Sequence, residues 1–310
     1  MFTHSITLYF AAVLIWGSTW YGIKFQLGEV DPAISVAYRF ALASAVLMAY
    51  CLLRRVKLRY SLREHASMAL LGACLFGFNY LLTYEGTVFL TSGLVAVLFS
   101  SIVLMNILNS VLFFRQPVAI SMLLGAGLGL TGICLIFWPE LSHLNNSDIL
   151  KGAGIALVGT YIASLGNLVS ARNQKHSIPV IQANAYGMGY GALIIAVWAW
   201  SQDISFNYSL KPEYSLSLVY LAVFGSILAF GSYLTLLGRI GPSKAAYATV
   251  LFPIVALAIS TIFENYHWQP MAIIGVAFVM TGNVIVVADK QLRTRLSKLL
   301  PFKKTVLEAP

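Results

Sequence analysis

The 310-residue chain is 59% hydrophobic and 10% charged, with 20 Lys and Arg against 11 Asp and Glu. Soluble proteins carry about 25% charged residues, so a soluble fold of this composition would have too few charges to cover its surface. The composition therefore argues against a cytosolic enzyme, a secreted disulfide-bonded domain or a disordered chain, and it predicts an all-α membrane protein. The net charge of +9 does not indicate nucleic-acid binding, because the basic residues form short clusters between apolar stretches.

Ten apolar stretches of about 18–24 residues follow one another, each long enough to cross a bilayer as a helix. Most prolines fall between these stretches or at their starts, where a missing N–H costs little. The first stretch lacks a basic n-region and a small-residue cleavage site, so we expect a retained helix there. The predicted transmembrane helices are residues 5–25, 33–53, 67–86, 92–114, 118–138, 151–172, 181–201, 215–237, 243–263 and 270–288.

The basic residues of the connections predict the orientation of the chain. With the N-terminus in the cytoplasm, sixteen Lys and Arg residues of the connections and the tail lie inside, against Lys24, Lys151 and Lys211 on the other side. Cytoplasmic connections carry the excess of basic residues. We therefore expect a multi-pass protein of a bacterial inner membrane with both termini in the cytoplasm. The basic tail, residues 290–310, is expected to lie on membrane lipids through a leucine face.

The second half of the chain repeats features of the first at an offset of about 150 residues, which indicates an internal repeat. The matched residues keep their order: Gly125, Thr131 and Gly132 in one half, and Gly275, Thr281 and Gly282 in the other. Because each half has five predicted helices, the second copy must enter the membrane from the opposite side, as in many secondary transporters. We therefore predict two inverted five-helix repeats, residues 1–147 and 148–289.

Several short motifs resemble the drug/metabolite transporter superfamily, and some resemble its EamA-type ten-helix branch. The motifs are Trp16-Gly17-Ser18-Thr19 followed by Lys24, Arg39-Phe40, Thr91-Ser92-Gly93-Leu94, Phe252-Pro253 and Phe263-Glu264. The chain departs from the branch in lacking the common proline of helix 4 and in having Arg115 where an acidic residue is usual. The resemblance implies a central cavity lined mainly by helices 1–4 and 6–9, with helices 5 and 10 peripheral. It also implies export as the direction of transport.

Polar and aromatic side chains within the predicted helices are the candidates for substrate binding, because polar groups in a membrane are costly and often mark a pathway. They are Trp16, Asn79, Tyr80, Tyr84, Asn106, Asn109, Tyr161, Asn167, Asn184, Tyr233 and Tyr247. The spacing of three places the two asparagines of helix 4 on one face, and Trp16 lies near mid-depth. For each candidate, hydrogen bonding or packing between helices without a ligand is the alternative.

Four residues are candidates for gating: Lys24, Arg39, Pro253 and Glu264. The two cations lie in the outer half of the expected cavity, where they could bind a substrate carboxylate or pair with Glu29 and Asp31 of the intervening loop. The proline, the only one deep within a predicted helix, cannot donate to the Thr249 carbonyl. Interrupted helices line the substrate sites of many inverted-repeat transporters.

None of the eleven acidic residues lies at mid-membrane depth, where a carboxylate that couples transport to protons or sodium is expected. The sequence also lacks metal-ligand spacings, phosphate loops and nucleophile–base pairs, so we expect no cofactor. We predict a secondary transporter, not an enzyme, that exports small organic metabolites such as amino acids by alternating access around a midplane cavity, with facilitated or weakly proton-coupled transport. A membrane-embedded enzyme and a non-transporting membrane subunit are the alternatives, and a homodimer is left open.

Overall fold

The protein folds into helices whose positions follow the apolar stretches of the sequence. The structure, a computed structural model, describes residues 5–114, 120–136, 138, 147–233 and 248–299, and within these ranges it contains helices and no strand. The helices are Ser5–Lys24 (α1), Pro32–Leu53 (α2), Leu62–Phe89 (α3), Ser92–Ser100 with Ile102–Phe114 (α4), Ile120–Ile136 (α5), Ser147–Lys175 (α6), Val180–Ser201 (α7), Pro212–Tyr233 (α8), Ala248–Phe263 (α9) and Pro270–Leu299 (α10).

Length and composition make five of the helices, α2, α3, α6, α7 and α8, suitable for crossing a membrane. The remaining apolar helices among the described residues are shorter, and each of the ten predicted stretches overlaps one helix. The prediction of an all-α membrane protein is confirmed. α10 differs from the prediction in length, because it continues without a break through residues 290–299, the first half of the basic tail.

Polar caps explain where several helices begin. Asp31 precedes Pro32, the first residue of α2, and its carboxylate accepts a hydrogen bond from the Ala33 N–H at 2.8 Å. Ser61 and Glu64 form a capping box at the start of α3. These side chains accept hydrogen bonds from N–H groups that have no partner within the helix. The apolar segments that follow can therefore enter the membrane with their first turns satisfied.

α3 and α8 each contain a π-helical segment, Gly72–Phe78 and Leu221–Leu228 respectively. A π turn contains one residue more than an α turn, and such segments are frequent at functional sites. In α8 the wider turn is visible in a side-chain bond, since the Ser226 hydroxyl donates to the Leu221 carbonyl five residues earlier at 3.1 Å. The segments change the rotation of the residues that follow them, which include cavity-lining residues of both helices.

Glycines allow two pairs of helices to approach closely. A Cβ atom on Gly72 of α3 would lie 2.3 Å from the Gly187 carbonyl oxygen of α7. Between α5 and α10, a Cβ atom on Gly132 or on Gly275 would lie 2.5 Å from the carbonyl oxygen of the other. Small residues at such crossings let helix backbones touch in membrane proteins. Gly132 thus touches Gly275, the counterpart of Gly125, and a Cβ atom on Gly282, the counterpart of Gly132, would lie 2.6 Å from the Gly125 carbonyl oxygen.

The helices pack around a central region that holds the cavity described below. α2 packs against α7, while α1 and α4 pack against α9, and α3 and α4 against α6. α5 and α10 pack mainly against each other, which agrees with their expected peripheral position. The largest apolar core is built around buried rings such as Phe40 and Phe76, and a second core surrounds Phe252. These cores fix the helices that line the cavity.

Candidate functional site

A cavity of about 820 Å³, its open part included, lies between helices from both halves of the chain. Its walls come from α1, α2, α3 and α4 of the first half and from α6, α8 and α9 of the second. Most of the lining is aromatic or aliphatic, with a few polar side chains, as is typical of small-molecule sites. The aromatic and aliphatic lining residues are Trp16, Trp20, Ile23, Leu75, Tyr80, Phe99, Ile102, Phe230, Tyr233 and Phe252.

Trp16 is the centre of the aromatic wall. Its ring centroid lies 5.1 Å from that of Phe230 in an edge-to-face contact and 5.2 Å from that of Tyr233. Its indole N–H donates to the Gly225 carbonyl, in the π-helical segment of α8, at 3.2 Å. Edge-to-face contacts and a bonded indole N–H hold an aromatic side chain in one orientation. The indole therefore joins α1 to α8 and presents a fixed surface to the cavity.

Arg39 places a buried positive charge in the polar part of the wall. The side chain is 1% exposed, and its Nε donates to the Ser226 hydroxyl at 3.0 Å and its Nη1 to the Tyr84 hydroxyl at 3.4 Å. Its Cζ atom lies 4.5 Å from the centroid of the Tyr80 ring, which gives a cation–π contact. Among the described residues no carboxylate pairs with this guanidinium. The contacts that the described part of the chain makes with this charge are therefore all with neutral groups.

Amide groups supply the other notable polarity of the lining. The Asn167 amide of α6 donates to the Asn106 amide oxygen of α4 at 3.4 Å, which links the two halves of the chain across the cavity. Asn79 of α3 is 2% exposed, and its Nδ2 donates to the Leu75 carbonyl at 3.2 Å. Its Oδ1 has no hydrogen-bond partner among the described residues. Thr19 and Thr83 complete the polar lining.

Glu264 joins three helix ends at one side of the cavity. Its carboxylate accepts hydrogen bonds from the Ser92 backbone N–H at 3.1 and 3.2 Å, from the Ser92 hydroxyl and from the Ser260 hydroxyl at 2.7 Å. It also lies 3.7 Å from the Lys24 ammonium, which donates to two backbone carbonyls at the end of α3. We call Lys24, Ser92, Ser260 and Glu264 the Glu264 cluster. A carboxylate is favourable here because the α4 N-terminus carries partial positive charge.

The residues of the Glu264 cluster do not line the cavity themselves, but they stand on three of the helices that line it. Lys24 follows Ile23, which lines the cavity and is buried, and Ser92 is the first residue of α4, whose later turns also line it. The cluster therefore ties α1, α4 and α9, three of the cavity-lining helices, to one another.

One of the two alternatives for Lys24 and Arg39, pairing with Glu29 and Asp31, is wrong. The Glu29 carboxylate bonds the Lys211 ammonium at 2.6 Å, and this contact raises the Lys211 pKa. The Asp31 side chain is used as the cap of α2. Tertiary packing explains the difference: the loop between α1 and α2 lies against the start of α8, where Glu29 pairs with Lys211, and Lys24 pairs with Glu264 instead.

The structure brings seven of the predicted site residues together at the cavity: Trp16, Arg39, Asn79, Tyr80, Asn106, Asn167 and Tyr233. Tyr84 is buried behind Arg39, and the Asn109 amide is buried and donates to the Ser164 hydroxyl of α6 at 2.8 Å. Tyr161 and Asn184 are not among the lining residues. Pro253 is buried in α9 next to the lining residue Phe252, and the helix continues through it. Tyr247 lies outside the described residues.

Sequence reasoning missed several residues of the cavity wall. Trp20 follows Trp16 by four residues, and this helical spacing places both indoles on one face, so the signal was present. Ser226, which holds the Arg39 guanidinium, stands in an otherwise apolar stretch. Phe230 lines the cavity as well, but no sequence pattern separates it from phenylalanines that face lipid, and Phe252, another lining residue, was marked only as part of the Phe252-Pro253 motif.

Comparison with known proteins places this architecture in a family. The model of the EamA-like transporter family matches residues 4–138 and 150–288. The chain belongs to the EamA-like transporter family. The resemblance noted in the sequence motifs is thereby confirmed, and the EamA-like match covers each half of the chain separately.

Curated relatives of this EamA-like protein bear transporter names. The chain is 28% identical over 280 residues to the uncharacterized inner membrane transporter YedA of Escherichia coli K12, covering 87% of this chain and 88% of YedA. It is 26% identical over 255 residues to the uncharacterized transporter YoaV of Bacillus subtilis 168, covering 80% and 84%. It is 22% identical over 264 residues to protein PagO of Salmonella typhimurium LT2, covering 84% and 86%.

A solved crystal structure shares the fold of the EamA-like chain. The two superpose with a TM-score of 0.65 at 17% identity, over 91% of this chain and 96% of the other. The family, its transporter-named relatives and the apolar helices together make this chain a multi-pass membrane protein of a transporter family.

Proposed function

We propose that this protein is a secondary transporter that exports small organic metabolites such as amino acids across a bacterial inner membrane. The observation that carries the proposal is the cavity lined by both halves of the chain, with aromatic walls, amide groups and the buried Arg39 charge. Such a lining suits a small molecule that has both an apolar body and polar groups. An enzyme would need a clustered catalytic set, which the lining does not supply.

The proposed mechanism is alternating access between two inverted five-helix repeats. Support comes from the two separate matches to the family model, residues 4–138 and 150–288. The π-helical segments begin at Gly72 and Leu221, and the separation of these two positions is close to the offset of the repeat. Gly132 contacts Gly275, and their respective counterparts, Gly282 and Gly125, contact each other in the same way; such crossed contacts are expected around a pseudo-two-fold axis. Substrate would bind at the interface between the repeats, where the cavity lies.

We assign gating to the Glu264 cluster and to α9. In each transport cycle the contacts of Glu264 with Lys24 and Ser92 would break and re-form, which would open and close one end of the cavity. Pro253 lies next to Phe252. A proline within a helix makes the helix easier to bend, because it removes one backbone hydrogen bond. Bending of α9 would then move Phe252 relative to Trp16.

Transport by purified protein in liposomes tests the proposed function. We expect the wild-type protein to exchange labelled metabolites from a panel that includes the standard amino acids. The Trp16→Leu variant should be slower by about tenfold or more, because it loses aromatic contacts within the binding wall. Trp200→Leu is the matched control, since the Trp200 side chain is 73% exposed and is not among the lining residues.

The same liposomes test energy coupling. Because no carboxylate is among the described cavity-lining residues, a pH gradient should not concentrate substrate appreciably.

Two outcomes of the transport assay would contradict the proposed function or its site. Equal transport rates for Trp16→Leu and Trp200→Leu would place the substrate site elsewhere. Failure of the wild-type protein to move any compound would favour a membrane-embedded enzyme or a non-transporting subunit.

The proposed orientation, with both termini in the cytoplasm, is tested by labelling single cysteines. Cys51, Cys74 and Cys134 are first replaced, and a cysteine is then introduced at the exposed position Arg63 or Lys211. A membrane-impermeant maleimide added to the outer face should modify position 211 and leave position 63 unlabelled until the membrane is opened. The reverse labelling pattern would show that the orientation is inverted.

A further inference from the structure

We propose that Arg39 anchors the anionic group of the transported molecule and that the cavity thereby selects compounds with a single carboxylate and rejects organic cations. The proposal rests on the transport function given above and specifies the substrate class of the same cavity. It assigns to Arg39 substrate recognition, in place of the loop pairing that the sequence left open.

The first argument is the uncompensated charge of Arg39. A guanidinium keeps its charge in proteins, and burial of a charge without a counter-ion is costly. Among the described residues its partners are the hydroxyls of Ser226 and Tyr84 and the faces of the Tyr80 and Phe40 rings, all of them neutral. The sequence has no acidic residue at mid-membrane depth that could serve as a partner. Since the described residues provide no counter-ion, we expect it to come from a molecule bound in the cavity.

The second argument is the room left around the guanidinium. It has five N–H donors, and among the described residues the acceptors are one hydroxyl on Nε and one on Nη1. Nη2 packs against Gly225 of α8, where a Cβ atom would lie 2.9 Å away, so the glycine makes room for the guanidinium itself. Paired N–H donors match the two oxygens of a carboxylate. Arg39 can therefore hold its present contacts and bind a carboxylate from the cavity side.

The third argument comes from two unpartnered polar atoms on the same lining. Among the described residues, the Oδ1 of Asn79 has no donor and the indole N–H of Trp20 has no acceptor, although both atoms are buried. Buried polar groups are normally paired. An ammonium group of a substrate would satisfy Asn79, and a carboxylate oxygen would satisfy Trp20. With Arg39, these atoms complement the two charged groups of an amino acid.

The charges of the lining also define what is rejected. The aromatic walls could attract an organic cation, but the Tyr80 ring already faces the Arg39 guanidinium, and no carboxylate is among the lining residues to offset the repulsion. A dicarboxylate would leave its second charge unpaired, because Arg39 is the one charged residue among the described residues of the lining. A single carboxylate on an apolar body is the best match.

The test is equilibrium binding to the purified full-length protein with matched probes. The standard L-amino acids are measured first, and the tightest binder is compared with its decarboxylated amine and its deaminated acid. For L-leucine these probes are 3-methylbutylamine and 4-methylpentanoate, which keep the same branched body. We expect the amino acid to bind at least about tenfold tighter than the amine, since a lost charged hydrogen bond has this effect. This comparison needs no variant.

Variants then show which residues cause the preference for the amino acid over the amine. Arg39→Gln should raise the Kd of the amino acid by about tenfold or more and remove its advantage over the amine, while Arg39→Lys should keep part of it. Asn79→Leu should weaken binding of the amino acid and leave the deaminated acid unaffected. Lys211→Gln is the control, because this cation is exposed and paired with Glu29 outside the cavity.

Other outcomes would overturn the proposal. An amine that binds as tightly as its amino acid, unchanged amino-acid binding in Arg39→Gln, or displacement of the amino acid by chloride alone would each refute the carboxylate anchor. Transport of amines in the liposome assay, without binding of amino acids or acids, would refute this inference and leave the transport function intact. Absence of any transport would refute the proposed function itself.

Discussion

The Glu264→Gln variant is expected to open one end of the cavity. Glutamine keeps the size of the side chain but removes the charge that bonds the Ser92 N–H at the start of α4 and pairs with Lys24. Hydrogen bonds to a charged group are worth about 1.5–3 kcal/mol each, and the helix dipole adds to them. Loss of about 2 kcal/mol would raise the population open at this end roughly 30-fold.

Labelling of a cysteine at position 23 measures this opening. Ile23 lines the cavity next to the Glu264 cluster and is 2% exposed, so a water-soluble maleimide reaches it only when the end opens. We expect labelling to be faster by about the same factor and transport to be slower, because each cycle needs closure. Glu213→Gln, at an exposed carboxylate at the start of α8, is the control. Equal labelling in the two variants would remove Glu264 from gating.

The Gly72→Ala variant is expected to lose much of its stability. The added Cβ atom would lie 2.3 Å from the Gly187 carbonyl oxygen and 2.8 Å from the Gly191 nitrogen. Both are backbone atoms that cannot rotate away, so α3 and α7 must separate. Overpacking of a well-packed site costs about 1–3 kcal/mol and sometimes more, and we expect the upper end because the displaced atoms are backbone.

The fraction of monodisperse protein and the unfolding temperature in detergent measure this loss. Gly154→Ala in α6 is the matched control, because a Cβ atom there meets nothing within 4 Å and alanine favours the helix. It should unfold at the wild-type temperature or above it. If both alanine variants unfold at the same temperature, the contact between α3 and α7 is not as tight as the structure indicates.

The sequence by itself determined the class of the protein, the approximate helix bounds and the family. These properties are local, since a bilayer requires about 20 apolar residues in a row and a cap such as Asp31 acts on the next turn. The sequence also pointed to Trp16, Asn79 and Tyr80 as cavity candidates, because polarity and aromatic character within an apolar stretch can be read without a fold.

The tertiary structure decided which of these candidates face the cavity. Asn106 and Asn109 differ by three residues, or about 60° around a helix, and this is enough for one to line the cavity while the other bonds Ser164. The position of a residue along the helix axis follows from its place in the sequence, but whether its side chain faces the cavity, lipid or another helix depends on the neighbouring helices. The π-helical segments of α3 and α8 change that direction again, without a sequence pattern that predicts them.

The tertiary structure also decided the partners of the charges. Nearness in sequence favoured Glu29 and Asp31 for the two cations, whereas Glu29 pairs with Lys211 and Lys24 pairs with Glu264, contacts that span 182 and 240 positions. Arg39 is left beside neutral groups. Charges attract through space, so their partners depend on how distant helices pack, and a sequence orders residues only along the chain.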